Sequence, residues 1–384
     1  MLLLLAILAT PLLAQPLITH TDVFRAGADG YHTYRIPAIV TGANGNLVAF
    51  AEARKENRTD PGGGDIDLVC KVSTDGGQSW SAMRIVDDPG EKWAASNPTP
   101  LLDRTNSRLW IFYNRWEPGF GTDRSRPATM NNQTWARWSD DHGQTWSAPR
   151  DLTRQSRDFE HWGAIFLGPG GAIQTRAGRL MIPSAMKNDE FAVMGSAGSY
   201  TGPIGLMRAY AIYSDDHGAT WKRGALAGAL TNENQFVELG DGAVLMDARQ
   251  NAGPHRWFLM SPDGGVTWSR PRAGHALTPV ATAIERFSLK SAGADRDRLI
   301  WTGPTGPGRK NLVVRVSYDE GQTWINERIL YGGLTSYSDA AMLADGTAGI
   351  LWERGVSDSV QFVTFTRFNR EFLEPAGTVL PAFH

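Results

Sequence analysis

One octapeptide, Ser-x-Asp-x-Gly-x-Ser/Thr-Trp, recurs five times along this chain, at residues 73–80, 139–146, 214–221, 261–268 and 317–324. Each copy reads as a hairpin turn. Its Asp can accept backbone N–H groups inside the turn. Its Gly supplies a backbone conformation that other residues avoid. Its Trp can fold back between neighbouring sheets. The copies lie roughly 45–75 residues apart, about one four-stranded propeller blade with room for insertions. Apparent strands lead into the boxes at 66–72, 211–213, 257–260 and 311–316. Five boxes require at least five blades, and further strands at the two ends predict a sixth closed between them. No helical periodicity of useful length and no Ser- or Pro-rich linker interrupts the pattern. The expectation is an all-β chain folded as a single six-bladed β-propeller over residues 15–384.

Composition fits that expectation. The 42 glycines and 14 tryptophans suit many short strands, tight turns and aromatic layers between sheets. The formal net charge is −2 and there is no basic run, which argues against a nucleic-acid partner. Residues 1–14 carry an apolar run too short to span a bilayer, ending in Leu12-Leu13-Ala14 before Gln15. They are expected to form a signal peptide, although no Lys or Arg precedes the run. The chain is therefore expected to be secreted or periplasmic, with no stable membrane span. Cys70 is the single cysteine, so no internal disulfide is available and the core must hold the fold. No clustered His, Cys and Asp pattern suggests a catalytic metal, and no cofactor is expected.

The octapeptide resembles the Asp box of the sialidases, a structural turn expected on the propeller face away from the chemistry. The resemblance becomes specific at Tyr34-Arg35-Ile36-Pro37, which is similar to the Phe/Tyr-Arg-Ile-Pro motif near the start of those enzymes. Further matches follow in order. They are Arg54 in Ala51-Glu52-Ala53-Arg54, Glu233 in Asn232-Glu233-Asn234-Gln235, and Arg249 after an apolar strand. Arg309 after Gly306-Pro307-Gly308, Tyr337 in Tyr337-Ser338-Asp339 and Glu353 in Trp352-Glu353-Arg354 complete the set. The set, spanning residues 34–355, resembles that of family 33 of the glycoside hydrolases. That resemblance implies a retaining exo-sialidase acting on sialylated glycans, glycoproteins, glycolipids or oligosaccharides.

The resemblance also implies roles. Tyr337 is the nucleophile, Glu233 its base, and Asp60, on a Pro- and Gly-rich loop, the acid/base. Arg35, Arg249 and Arg309 grip the substrate carboxylate, Arg54 contacts the O4 and N-acyl side, and Glu353 orients Arg35. The chemistry is coherent, because a guanidinium fork matches a carboxylate in planar bidentate geometry. A carboxylate nucleophile would approach an anomeric carbon that already bears a carboxylate. Two such charges about 4 Å apart repel by roughly 4 kcal/mol at an effective dielectric near 20. A neutral phenol avoids this, but its ordinary pKa of about 10 calls for an adjacent base. Tyrosine is already the known exception among glycosidase nucleophiles.

Rivals remain open at this stage. Asp65 competes with Asp60, Glu238 with Glu233, and Arg315 with Arg309, although Arg315 reads as a solvent-facing strand residue. Asp67 reads as structural. Asn97, expected to bind substrate, stands where many sialidases have Asp. It leaves a related 2-keto-3-deoxy sugar acid as an alternative substrate. Sialyl transfer would use the same residues, and a non-catalytic glycan-binding propeller is a third reading. The polar stretch 115–135 either walls the leaving-group side or is an edge insertion.

Overall fold

The computed structural model describes residues 14–375, apart from 91, 123, 198–199, 229 and 251–252. Residues 1–13 of the expected signal peptide lie outside the described residues. Six antiparallel four-stranded blades account for nearly all of the strands. Blade one is Thr33–Thr41, Leu47–Arg54, Ile66–Ser73 and Arg84–Asp87. Blade two is Ala94–Asp103, Arg108–Trp116, Asn132–Ser139 and Arg150–Asp151. In blade three Ala164–Leu167 and Ile173–Gln174 share the first position beside Leu180–Ala197, followed by Tyr200–Ser214 and Lys222–Arg223. Blade four is Thr231–Glu238, Val244–Gln250, His255–Ser261 and Arg272–Ala276.

The last two blades share a strand. Ile325–Met342 pairs through its first half with Lys310–Ser317, as the fourth strand of blade five after Ala283–Ser288 and Arg298–Pro304. Its second half pairs with Ala348–Gly355 and so opens blade six. Blade six is completed by Phe362–Phe368 and by the N-terminal strand Ile18–Arg25, which closes the ring. The sixth blade expected from the two chain ends is therefore present. The strand expected at 211–213 is longer, Tyr200–Ser214, because its partner Leu180–Ala197 continues the pairing outward.

Each octapeptide builds the same turn. In the first copy the Asp75 carboxylate accepts Ser79 N at 2.9 Å, Ser79 Oγ at 2.6 Å and Ser73 Oγ at 2.8 Å. Ser73 Oγ in turn accepts the Gly77 N–H at 2.9 Å. Asp141, Asp216, Asp263 and Asp319 repeat the pattern with Thr145, Thr220, Thr267 and Thr323. Hydrogen bonds from Ser79 and Thr220 pull the Asp75 and Asp216 carboxyls down to about 2, so these turns stay anionic. The box tryptophans then lock blade to blade. Trp80 packs on Phe365, Trp146 on Phe50, Trp221 on Phe112 and Trp324 on Phe258, each phenylalanine belonging to the preceding blade.

The box glycines adopt left-handed backbone angles, and Gly77 also lies against a neighbour: a Cβ there would meet the Phe365 ring at 2.0 Å. Gly90 has a similar angle with nothing within 4 Å. Gly90→Ala should therefore cost only the backbone penalty, about 1 kcal/mol. Gly77→Ala adds overpacking and should cost about 3 kcal/mol. Urea denaturation of the two variants checks the ordering, and equal midpoints would refute the blade-locking role of this turn.

Candidate active site

The first strand of each blade runs from one end of the propeller axis to the other. Arg35, Asn97, Phe166, Glu233 and Tyr337 line a cavity of about 550 Å³ at one end. Thr41, Leu102, Glu238 and Met342, further along four of these strands, line a second cavity at the opposite end. No box residue lines the first cavity, although Glu320 of the last box reaches Arg286 at the second. The first strands of blades one, two, four and six each slip register just where they enter the first cavity. The breaks fall between Arg35 and Ala38, Ser96 and Thr99, Thr231 and Asn234, and Thr335 and Ser338. Bulges of this kind bend a strand and re-aim its side chains. Ile36 and Asn97 take positive φ values of 56° and 55° within them.

At the cavity floor the Tyr337 hydroxyl donates to Glu233, 2.7 and 2.8 Å from its two carboxylate oxygens. Arg249 Nη1 donates to both members, at 2.6 Å to Glu233 Oε2 and 2.9 Å to Tyr337 Oη. The guanidinium carbons of Arg35 and Arg309 lie 5.3 and 5.6 Å from the centre of the Tyr337 ring. Three arginines from blades one, four and five thus converge on one phenol. Burial, and then the charge of Glu233, push that phenol well above its ordinary pKa, against the pull of Arg249, Arg309 and Arg35. The resting tyrosine is therefore neutral, with its proton already directed at the glutamate.

Arg35 is held by Glu353, with Nε 2.9 Å from Oε1 and Nη2 3.2 Å from Oε2. Glu353 is fully buried and also accepts the Ile36 and Tyr337 backbone N–H groups. Arg309 is held differently. It donates to Ser336 Oγ at 3.0 Å and Pro279 O at 3.4 Å, with no carboxylate partner among the described residues.

Asp60 stands at the cavity mouth with its side chain 81% exposed. Arg54 Nη1 reaches it at 3.0 Å and Arg35 Nη1 lies 3.9 Å away. Partial loss of water at the cavity mouth would raise its pKa, but Arg54, Arg35 and Arg309 prevail and hold the carboxyl below its ordinary value. Arg54 is itself fixed by Glu52, 2.6 Å away and fully buried. The other Glu52 oxygen accepts the Asn97 N–H at 3.0 Å, and the Asn97 amide donates to Leu167 O at 2.8 Å.

The rivals lie elsewhere. Asp65 pairs with Lys55 at 2.9 Å and does not line the cavity. Asp67 accepts the Tyr31 hydroxyl and pairs with Lys55, a structural position as expected. Glu238 sits at the opposite end of its strand, accepting the Arg176 N–H. Arg315 does not face open solvent. It pairs with Glu327 and covers Trp301 and His275, because its strand is flanked by those side chains. Sequence reading overlooked Glu52, whose signal is a lone acid two residues before Arg54 in an otherwise apolar strand. Trp116, Phe166 and Met207 complete the cavity wall with no local signature.

The BNR repeat-like domain family matches residues 45–350. A sialidase of Micromonospora viridifaciens is 31% identical over 379 residues, covering 94% of this chain and 55% of that protein. This chain therefore spans little more than half the length of that relative. An exo-alpha-sialidase of Arthroderma benhamiae is 31% identical over 384 residues, covering 91% of this chain and 86% of that protein. Among solved structures, the Hadza microbial sialidase Hz136 superimposes with a TM-score of 0.81 at 27% identity, over 92% of this chain and 68% of that one. With the box repeat and a family match covering most of its length, the chain belongs to the sialidase family.

Proposed function

We propose that the protein is a retaining exo-sialidase, removing terminal α-linked sialic acid from sialylated glycans, glycoproteins, glycolipids or oligosaccharides. The observation that carries this reading is the Tyr337 hydroxyl donating to Glu233 at 2.7 Å beneath the guanidinium groups of Arg35, Arg249 and Arg309. Such a cluster is suited to a sugar whose anomeric carbon bears a carboxylate. The arginines bind that carboxylate. The Tyr337 oxygen attacks the anomeric carbon while its proton passes to Glu233, and Asp60 protonates the departing oxygen. In the second half Asp60, now a carboxylate, takes a proton from water as the water attacks. Tyr337 leaves and recovers its proton from Glu233. Two displacements retain the configuration.

Tyr337→Phe should remove nearly all turnover of a fluorogenic sialoside and leave the circular dichroism spectrum unchanged. Wild-type rates in that variant would end the tyrosine mechanism. Proton NMR of the native protein should show the α-anomer as first product from an α-sialoside; the β-anomer would contradict two displacements.

Asp60 acts first as an acid and must carry a proton. In the free protein its pKa is held low by Arg54 and Arg35. A substrate carboxylate on Arg35 offsets part of that pull, so the pKa rises on binding. With an alkyl sialoside, activity should fall with rising pH in both profiles. The fall in kcat should lie at higher pH than the fall in kcat/KM, which reports the free protein. Coincident limbs would refute the coupling. Asp60→Ala should cost about 10²–10⁴-fold on alkyl sialosides and much less on aryl sialosides, whose leaving oxygen needs no acid.

The arginines should separate in a second respect. Arg35→Ala abandons the buried Glu353 carboxylate and should cost about 3 kcal/mol of stability. Arg309→Ala leaves only neutral oxygens and should cost less than about 1 kcal/mol. Either change should weaken a sialic-acid-like carboxylate inhibitor roughly 10–100-fold, since each charge-assisted bond is worth about 1.5–3 kcal/mol. Calorimetry of binding and thermal unfolding measure both quantities; unaltered inhibitor affinity in Arg309→Ala would remove it from the clamp.

A further inference from the structure

The stretch 115–135 contributes more than a wall, and the reason lies in two glycines. Asp60 sits at the tip of a loop whose neck is closed by the Lys55 N–H donating to Asp65 O at 3.0 Å. On one flank Arg58 pairs with Asp358 of blade six. On the other flank the Gly119 N–H donates to Gly62 O at 2.7 Å, joining the loop to the blade-two stretch. Contact there is closer than any side chain allows. A Cβ at Gly62 would lie 2.5 Å from Gly121 N and 2.7 Å from Phe120 C, and Gly62 has a φ of 89°. A Cβ at Gly121 would meet Pro61 O at 3.1 Å. Pro61 is covalently next to Asp60.

The blade-two stretch is itself braced. The Gly121 carbonyl accepts Arg124 N at 3.0 Å, Ser125 N at 3.1 Å and Ser125 Oγ at 3.2 Å, and Ser125 is buried. The Glu117 N–H donates to Asn131 O at 3.0 Å across the base of the stretch. Blade three and the segment leading into it supply outer support, through Ala128 N to Phe159 O at 2.7 Å, Lys187 Nζ to Thr122 O at 3.3 Å, and Arg157 to Thr129 O. Gly121 is thus a braced surface against which the Asp60 loop rests. Arg54 makes the remaining attachment, donating to Arg58 O at 2.5 Å and Asp60 Oδ1 at 3.0 Å.

We propose that Gly62 and Gly121 are positioning residues: their backbone-to-backbone approach sets how far Asp60 reaches into the cavity, and so how well it protonates a leaving oxygen. The proposal rests on the acid/base role given to Asp60 above. Small displacements matter in such a step, since misplacing a catalytic group by about 1 Å can cost on the order of 100-fold. The two glycines act for different reasons. Gly62 needs its left-handed backbone and its missing side chain, whereas Gly121 has no positive φ, and a Cβ there would push Pro61 O outward by a few tenths of an ångström.

The test uses Gly62→Ala, Gly121→Ala and Asp60→Ala, with Gly242→Ala as a control. Gly242 has a φ of 92° in a turn away from the cavity, with nothing within 4 Å, so it reports backbone strain alone. Each variant is assayed with an alkyl sialoside and with an aryl sialoside carrying a good leaving group. Gly62→Ala should lose about 10-fold or more in kcat/KM on the alkyl substrate and about twofold or less on the aryl one. Gly121→Ala should show the same split at smaller size and decides the matter if Gly62→Ala does not fold. Gly242→Ala should show no split. Equal losses on both substrates, or no loss, in a folded Gly62→Ala or Gly121→Ala would overturn the positioning role while Asp60→Ala still shows the split. If Asp60→Ala itself shows no split, the acid assignment falls and this inference falls with it.

Discussion

The buried carboxylate of Glu353 holds the site together. One oxygen accepts Arg35 Nε and the Ile36 N–H; the other accepts Arg35 Nη2 and the Tyr337 N–H. A buried carboxylate without donors would be strongly disfavoured. Burial does press its pKa upward, but Arg35 and the two backbone donors outweigh that and keep it ionised. One group thereby fixes an arginine of the first blade and the tyrosine of the last. The two blades that must meet to close the ring are joined at the point where the chemistry is proposed. The positive φ of Ile36, unusual for a β-branched residue, is what turns its N–H toward this carboxylate.

Beneath that layer the strand period of two produces a second one. Tyr337 and Asp339 share a face of one strand, and Glu233 and Gln235 share a face of another. Asp339 accepts the Ile39 N–H at 2.8 Å and Gln235 Nε2 at 2.9 Å. Gln235 also donates to Pro169 O at 3.0 Å and accepts the Ile284 N–H. Five blades are therefore cross-braced directly below the tyrosine and its base. Burial pushes Asp339 up to about 7 despite these donors.

Much of this was legible in the sequence because the repeat is local. Eight residues specify each turn, and four of the five box tryptophans specify a contact with the preceding blade. The site residues were legible only as an ordered set, since no single short segment contains the cavity. Where Asp60 and Asp65 stand relative to the cavity required three dimensions: Lys55 engages the second, and arginines from two strands surround the first. Glu52 was missed because its role depends on Asn97 in another blade. The bulges were invisible because they depend on cross-strand register, which side-chain type alone does not set. The shared strand Ile325–Met342 has the same cause: nothing in its sequence marks where pairing passes from one neighbour to the next.

The charge balance of the inner cavity links binding to chemistry. Arg35 faces Glu353, Arg249 faces Glu233, and Arg54 is shared by Glu52 and Asp60. Among the described residues Arg309 has only neutral partners. Around Tyr337, among the described residues, these four cations face four carboxylates while Asp60 is ionised, and Arg124 adds a fifth cation to the cavity lining. With Asp60 protonated, as its proposed role demands, the cavity carries an excess of positive charge that favours a substrate carboxylate. Arg35 Nη1, 3.9 Å from Asp60, is where that exchange would occur, because the incoming carboxylate competes with Asp60 for the same guanidinium. Asp60 is largely exposed, so solvent screens this pair to about 1 kcal/mol or less, still enough to move a carboxyl pKa measurably. A fifth carboxylate in place of Tyr337 would spoil this balance and repel the substrate at the carbon to be attacked. A neutral phenol adds no charge at rest. In the proposed mechanism it would release its proton to Glu233 only as the new bond forms, so no further charge would enter the cavity between binding and attack.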